Sequence, residues 1–505
     1  MNLTRKIVIT FVLLVAAALM LDGCASSERF YEDVRMSRDA AYRLWKTRKD
    51  TQEQAQTRIS GRLSIQDCLK LTLANNKTLQ SVVLEKQVAR GEQLKSYSAI
   101  LPTIGLSGDY TRLDEVASFE VAGKTVTLGD LDNYSAGLRV TQPIFAGGSI
   151  PARINAGMLS SLLADETVRA ALQNAVYAAV YAYYDVLLNQ HLLEISSDAV
   201  RSADAHLQDV KQKRQAGVAS NFDVLRAEVE LPNFQAEFIR NKNAINVAKA
   251  NLLKVMGLSQ DSDFLLSDEL VYVSSKVTME QAVEAAFNNR PDLFGRELDV
   301  KYQEQLLRIA RSRYWPSIDG FYANTWAKPD PHNSMDIEWG HAWQAGISAT
   351  LPIFDGLARE GEILAQKARV KQAQIDLIDV EETALFELTK ALLTIQDAAE
   401  FVESQRLNLT RAEEGLRLAD VGYKEGTNTQ VETIDAQAAL TTARANYYKA
   451  IYAHLIAKLE LQKAMGTLTT YEPLGSEGNK EVAILNGGNK AFEEAAIEPE
   501  QELKK

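Results

Sequence analysis

The chain has 505 residues, 46% of them hydrophobic and 24% charged, so it can bury a large core and is not globally disordered. Lys and Arg number 55 against 67 for Asp and Glu, and the formal net charge of −12 excludes a general nucleic-acid binder with a basic face. Two cysteines exclude a disulfide scaffold and any Cys-based zinc cluster.

Arg5 and Lys6 precede an apolar run from Ile7 to Leu21, and Asp22-Gly23-Cys24 follows. A basic start, an apolar stretch of this length and small residues at its end predict a bacterial secretory signal over residues 1–23. Leu21-Asp22-Gly23-Cys24 resembles a lipobox, with Asp22 as its one departure, and predicts acylation at Cys24. Ala25 stands where an aspartate commonly retains lipoproteins at the inner membrane, which points to the outer membrane of a Gram-negative bacterium. Residues 24–61 then form a periplasmic segment. Cys68 has no partner left in the mature chain and reads as a buried thiol. Beyond the signal no apolar run reaches the ~18–20 residues of a membrane helix, whereas strands of a membrane barrel, weak in signal, remain open.

The rest of the chain is written twice. Ser64-Ile-Gln-Asp-Cys-Leu matches Thr278-Met-Glu-Gln-Ala-Val, and Leu101-Pro102-Thr103-Ile104 matches Trp315-Pro316-Ser317-Ile318. Gly137 to Phe145 matches Gly346 to Phe354, and Met256-Gly257 matches Met465-Gly466. The first copy occupies 62–262 and the second 278–470, joined by a linker over 263–277. An acidic tail over 471–505 reads as disordered.

Each copy opens with a short helix, capped by Ser64 with Asp67 or by Thr278 with Gln281. A second helix runs to about Tyr97 or Arg313. Period-two alternation then predicts strands over 103–111 and 134–141 in copy one, and over 318–326 and 343–350 in copy two. Each is close to the roughly 9–11 residues that a tilted membrane strand needs. Segments 112–133 and 327–341 connect them and are polar and turn-rich. Pro102, Pro143, Pro316 and Pro352 are placed at strand–helix junctions, where proline interrupts neither a ladder nor a helix interior. A very long helical hairpin follows, its first arm over 151–216 or 358–425 and about 100 Å long. Leu172, Val176, Val180, Tyr184, Leu188 and Leu192 form its apolar stripe, and Pro232 predicts a kink in the first return arm. At the tips Gly217 and Gly426 suit a left-handed helix end, and Ser220 with Asp223, or Thr429 with Glu432, would cap the returning helix.

The duplicated Gln142-Pro143-Ile144-Phe145 and Leu351-Pro352-Ile353-Phe354 carry a resemblance to the TolC-type outer-membrane factor family. So do the tips Gly217-Val-Ala-Ser-Asn-Phe-Asp223 and Tyr423 to Asp435, and the terminal Ala464-Met-Gly-Thr-Leu468. The resemblance covers about 62–470. It implies a mainly α fold with a membrane β-barrel. Four strands per chain would contribute to a trimeric 12-stranded barrel, and the hairpins would form a periplasmic α-barrel. Four strands alone cannot close, and open edges in lipid are costly, so a homotrimer fits on physical grounds too.

By the same resemblance the chain is a passive efflux duct for drugs, toxic compounds or metal ions, served by a periplasmic adaptor and an inner-membrane pump. Gly217, Val218, Ala219 and Ser220, with Gly426, Thr427, Asn428 and Thr429, would dock the adaptor. Tyr423 would bond Asp223 in an inter-hairpin clasp, from which Asn428 removes the family's arginine. Glu432 and Asp435 would line the periplasmic aperture. A type I protein-secretion exit and a periplasmic coiled-coil adaptor are the alternatives. No catalytic, phosphate-binding or dinucleotide motif is present, so no enzyme, cofactor or metal is expected. His332 and His341, near Asp330, Asp336 and Glu338, read as an external loop.

Overall fold

A computed structural model describes residues 60–468 apart from 122, 123, 275, 334 and 335, with scattered positions between 32 and 47. The expected signal at 1–23, Cys24, most of the segment after it and the tail over 471–505 lie outside the described residues.

Strand β1 (Ser60–Leu63) precedes the first copy: helices α1 (Ile65–Asn75) and α2 (Lys77–Ser96), strand β2 (Thr103–Arg112), strands β3 (Ala117–Val121) and β4 (Lys124–Leu128), strand β5 (Asp132–Ala146), then helices α3 (Ser149–Gln215) and α4 (Asn221–Val255). Strand β6 (Asp263–Leu266) follows. The second copy has α5 (Met279–Asn289), α6 (Pro291–Ser312), β7 (Ser317–Lys328), β8 (Gly340–Thr350), α7 (Ala358–Lys424) and α8 (Gln430–Ala464). Two units result. The smaller spans residues up to Leu63 and Leu258–Leu265, and β1 pairs with β6. The larger holds both copies.

The first arms α3 and α7 are 67 residues each, about 100 Å at 1.5 Å per residue. The return arms are shorter than a symmetric hairpin requires. Helices α4 and α8 have 35 residues each, about 52 Å. The rest of each long helix is covered by α2 or α6, set end to end with the return arm of its own copy. At the first joint Asn76 accepts from Leu79 N–H, capping α2, and donates from Nδ2 to Val255 O at 2.9 Å. At the second, Arg290 donates from Nη1 to Ala464 O at 3.1 Å while pairing with Asp292 and Glu387. The helices thus lie side by side as α4-α3-α8-α7 over one half of the long arms, and as α2-α3-α6-α7 over the other.

The apolar stripe of α3 is buried at Val176, Val180, Tyr184 and Leu188 and half-buried at Leu172 and Leu192. Alanines such as Ala175, Ala179 and Ala182 are buried between them, and their small side chains let backbones approach closely. The second copy's core gathers Ala282 and Ala286 of α5, Leu388, Ala391 and Ile395 of α7, and Ala457 and Leu461 of α8. Cys68 is free and fully buried, and burial pushes its thiol up to about 12. Helix α4 runs uninterrupted through Pro232, so the expected kink does not break it.

The segment read as an inter-repeat linker is structured. Beyond β6, Asp268 accepts from Tyr183 Oη at 2.5 Å and from Ile65 N–H at 2.9 Å. Farther on, Lys458 donates to Val273 O at 2.9 Å, and Tyr272 packs edge-on to His454 at 4.7 Å. Burial, with Lys458 nearby, pushes the His454 imidazole down to about 4. The linker is therefore a strap pinned to α1, α3 and α8.

All four expected strands are present and form one antiparallel sheet of order β2-β5-β7-β8. The register puts Ile104, Leu106, Leu138, Val140, Tyr322 and Trp343 on one face, and Ser107, Asp109, Arg139, Thr141, Asp319 and Gln344 on the other. At one end of the apolar face Tyr110, Tyr134 and Trp339 stack at 5.0 and 6.4 Å, the aromatic belt expected where a barrel meets an interface. Two details differ from the sequence reading. Segment 112–133 is not a plain connection, because β3 and β4 pair within it. Pro143 lies inside β5, not at its end, and the register slips by a bulge between Pro143 and Phe145. Lacking an N–H, proline cannot keep the ladder in step. Pro102, Pro316 and Pro352 do lie between strand and helix. No helix among the described residues is long and apolar enough to cross a membrane.

Candidate functional site

The candidate site is the pair of turns at the far ends of the long helices. In the first, α3 ends in a Schellman motif: Val218 N–H donates to Lys213 O and Gly217 N–H to Arg214 O, each at 2.9 Å. Gly217 takes φ 79°, and a Cβ there would meet nothing within 4 Å. The second turn repeats this, Thr427 N–H donating to Gly422 O at 2.8 Å and Gly426 taking φ 75° in open space. Val218 is 76% exposed. Gly217, Gly426, Thr427 and Thr429 are also exposed, and Ala219 and Asn428 are half-exposed. Asn428 packs its amide carbon where a Cβ on Gly422 would sit, 2.5 Å away, which keeps the second turn compact.

Both return helices begin with the expected capping box. Ser220 Oγ accepts from Asp223 N–H, and the Asp223 carboxylate accepts from Ser220 N–H at 2.8 Å and Oγ at 2.7 Å. The Ser220 hydroxyl, and then its backbone N–H, hold Asp223 below the usual carboxylate range. Glu432 accepts from Thr429 N–H at 2.7 Å in the same way. Both Glu432 and Asp435 are exposed, one turn apart on α8.

The expected Tyr423–Asp223 bond is absent within the chain. Oδ2 of Asp223 is held by its own cap, and the Tyr423 ring lies 3.9 Å from Lys213 Nζ and 5.8 Å from the His206 ring. The hydrogen bond that crosses between hairpins is Gln430 Nε2 to Asp223 O, at 3.1 Å. Gln430 is buried, and no sequence signal marked it, because a capped helix start does not reveal which neighbour its first residue meets. Behind the turns a cavity of about 250 Å³ separates the hairpins, with His206, Glu230, Asp420 and Thr433 in its wall. Burial lowers the His206 imidazole below its ordinary value. Among the described residues no cluster of three or more His, Cys, Asp or Glu is arranged to hold a metal.

A duplicated fold of hundred-ångström helices ending in paired turns, joined to a four-stranded sheet with one apolar face, defines a class of outer-membrane ducts. The chain belongs to the outer membrane efflux protein family, whose model matches residues 68–258 and 282–467. It is similar to the outer membrane protein TolC of Vibrio cholerae, 22% identical over 81% of this chain and 92% of that protein. The probable efflux pump outer membrane protein TtgC of Pseudomonas putida is also 22% identical, over 83% and 86%. The alkaline protease secretion protein AprF of Pseudomonas aeruginosa is 23% identical over 80% and 85%. Among solved structures, the CmeC outer membrane channel of Campylobacter jejuni superposes with a TM-score of 0.70 at 15% identity, covering 86% of this chain and 89% of that one. The Vibrio cholerae outer membrane protein VceC gives 0.69 at 17% identity, covering 80% and 96%. The protein is an outer-membrane efflux channel.

Proposed function

We propose that three copies of this chain form a passive duct that receives small molecules from an inner-membrane pump through a periplasmic adaptor. The observation that carries the reading is the open sheet. Among the described residues strands β2 and β8 have no partner at their outer edges, so a single chain in lipid would strand two rows of backbone groups. Joining β8 of one copy to β2 of the next removes them, and three copies give twelve strands. The helices support the same assembly. Phe222, Leu225, Val229, Ile239 and Val247 are exposed along α4. Leu364, Ile375, Phe386, Leu393, Leu407 and Leu418 are exposed along α7, at steps of seven, eleven or fourteen residues that keep one helical face. As α4 and α7 are the two outer helices of the α4-α3-α8-α7 half, Leu393, Leu407 and Leu418 would meet the α4 stripe of a neighbouring copy, and the part of the α7 stripe from Leu364 to Phe386 would face α2 of that neighbour.

The purified protein in detergent should have the mass of three chains and give stepwise conductance in a planar bilayer. A monomer without conductance would overturn the reading. In this assembly six turns form the periplasmic mouth, and Gly217 to Ser220 with Gly426 to Thr429 are the surface offered to the adaptor. Gly217→Val or Gly426→Val adds a Cβ in open space but forces a β-branched residue into the left-handed region, at about 1–2 kcal/mol. These variants should reach the outer membrane as trimers and fail to restore drug resistance; normal resistance in both would remove docking from the turns. Acylation at Cys24 belongs to the same proposal. Cys24→Ser should lose labelling by a radioactive fatty acid, and persistent labelling would exclude that site. The similarity to AprF makes protein secretion the second reading.

A further inference from the structure

A pocket of about 680 Å³ lies at the other end of the long helices, where they meet the sheet. Its roof is formed by the strand ends Ala146, Ser317 and Thr350, which are register partners on the polar face of the sheet. Its walls come from α3, α6 and α7. Three arginines line it, Arg153, Arg313 and Arg369. Among the described residues none of the three meets a carboxylate, and all three are exposed; exposed Arg90, Arg308 and Arg411 are likewise unpaired, whereas other arginines are neutralised locally. Arg169, Arg201, Arg240, Arg406 and Arg417 each pair with an acid three residues earlier. Arg369 is also positioned. The buried Gln366 accepts from its Nη1 at 3.1 Å and is itself fixed by donating Nε2 to Gln303 O at 3.2 Å and Oε1 at 3.0 Å. The one acid in the lining is Glu362. Leu306, Ile309, Trp315 and Pro352 supply an apolar surface beside the charges.

We propose that this pocket is a transit subsite for amphipathic organic anions, an apolar body carrying a carboxylate, sulfonate or phosphate. Guanidinium binds such oxyanions in a bidentate way and keeps its charge at any physiological pH. The apolar wall takes the body of the molecule, as in ligand pockets generally. The inference rests on the duct reading, in which the polar face of the sheet lines the lumen and symmetry repeats the pocket three times. It adds a cargo preference that the mouth, lined by acids, does not have.

The test is calorimetric titration of the detergent-solubilised protein with 2-naphthalenesulfonate, alongside uncharged 2-naphthalenemethanol and cationic naphthylmethylammonium. The sulfonate should bind best. The triple variant Arg153→Gln, Arg313→Gln, Arg369→Gln should bind it about tenfold or more weakly, as expected for losing charge-assisted hydrogen bonds, with the alcohol unaffected. Glu362→Gln should tighten sulfonate binding. Equal affinity for sulfonate and alcohol, or an unchanged sulfonate affinity in the triple variant, would overturn the subsite. Bilayer conductance of the same preparations reports on the duct separately. Normal conductance with no anion preference fails the subsite alone, whereas absent conductance in the unmodified protein fails the duct.

Discussion

At the scale of single residues, Asp223 illustrates how a local partner pre-empts a distant one. Its carboxylate sits three residues from Ser220, so the capping box forms with only one turn of chain to order. Both cap hydrogen bonds go to Oδ2, which fixes the carboxylate at its own helix start. Tyr423 instead lays its ring against Lys213, a cation–π contact within the reach where such contacts are favourable. The link between hairpins falls to Gln430, whose side chain is buried and donates to the Asp223 carbonyl. Gln430→Ala removes that hydrogen bond, worth about 1 kcal/mol in each chain. It should raise the mean conductance of single channels, while Tyr423→Phe keeps the ring contacts and should leave conductance unchanged. The reverse ranking in a planar bilayer would return the clasp to Tyr423.

At the scale of elements, the end-to-end joints bear the geometry of the helical layer. Gly257 and Gly466 follow α4 and α8 at matching positions of the two copies, with φ 69° and 71°. A Cβ on Gly257 would run into the Asn75 carbonyl, and one on Gly466 would lie 2.7 Å from Arg290 N. Gly257→Ala or Gly466→Ala should therefore cost at least about 2 kcal/mol, strain and overpacking together, and lower the yield of assembled trimer on a non-denaturing gel. Gly217→Ala, in open space, should assemble normally. The first arms were legible in the sequence almost to the residue, since periodicity, a glycine end and the capping box of the helix that follows are all local signals. The cover over the rest of each long arm was not. Gly257 and Gly466 mark the stops locally, but that α2 and α6 continue the layer beyond them is a contact between segments far apart in sequence. The β3–β4 hairpin escaped for another reason: Ala117-Ser-Phe-Glu-Val121 and Lys124-Thr-Val-Thr-Leu128 do alternate, but at five residues each they are short and lie inside a polar, turn-rich segment. Pro143 misled by its habit of ending strands, where here a bulge absorbs it.

At the scale of the whole molecule, the proposed duct would have arginines in the pocket near the sheet and Glu432 and Asp435 at the turns. The two acids are not equivalent. Glu432 accepts from Thr429 N–H and so helps to build the turn, whereas Asp435 is exposed and has no hydrogen-bond or ion-pair partner among the described residues. Gln can complete a capping box, so Glu432→Gln removes charge while preserving the turn. Three-fold symmetry would place six carboxylates around the axis, a low potential that concentrates cations and repels anions. The resting duct should prefer potassium over chloride and be blocked by multivalent cations added from the periplasmic side. Asp435→Asn should weaken both effects, and the double variant with Glu432→Gln should abolish the block and bring the reversal potential in a salt gradient toward zero. Since ions in series are sorted at the narrowest passage, the arginines at the far end should not mask this loss. A double variant with the reversal potential and block of the unmodified protein would mean that the acids do not line the passage and that the constriction is formed by other residues.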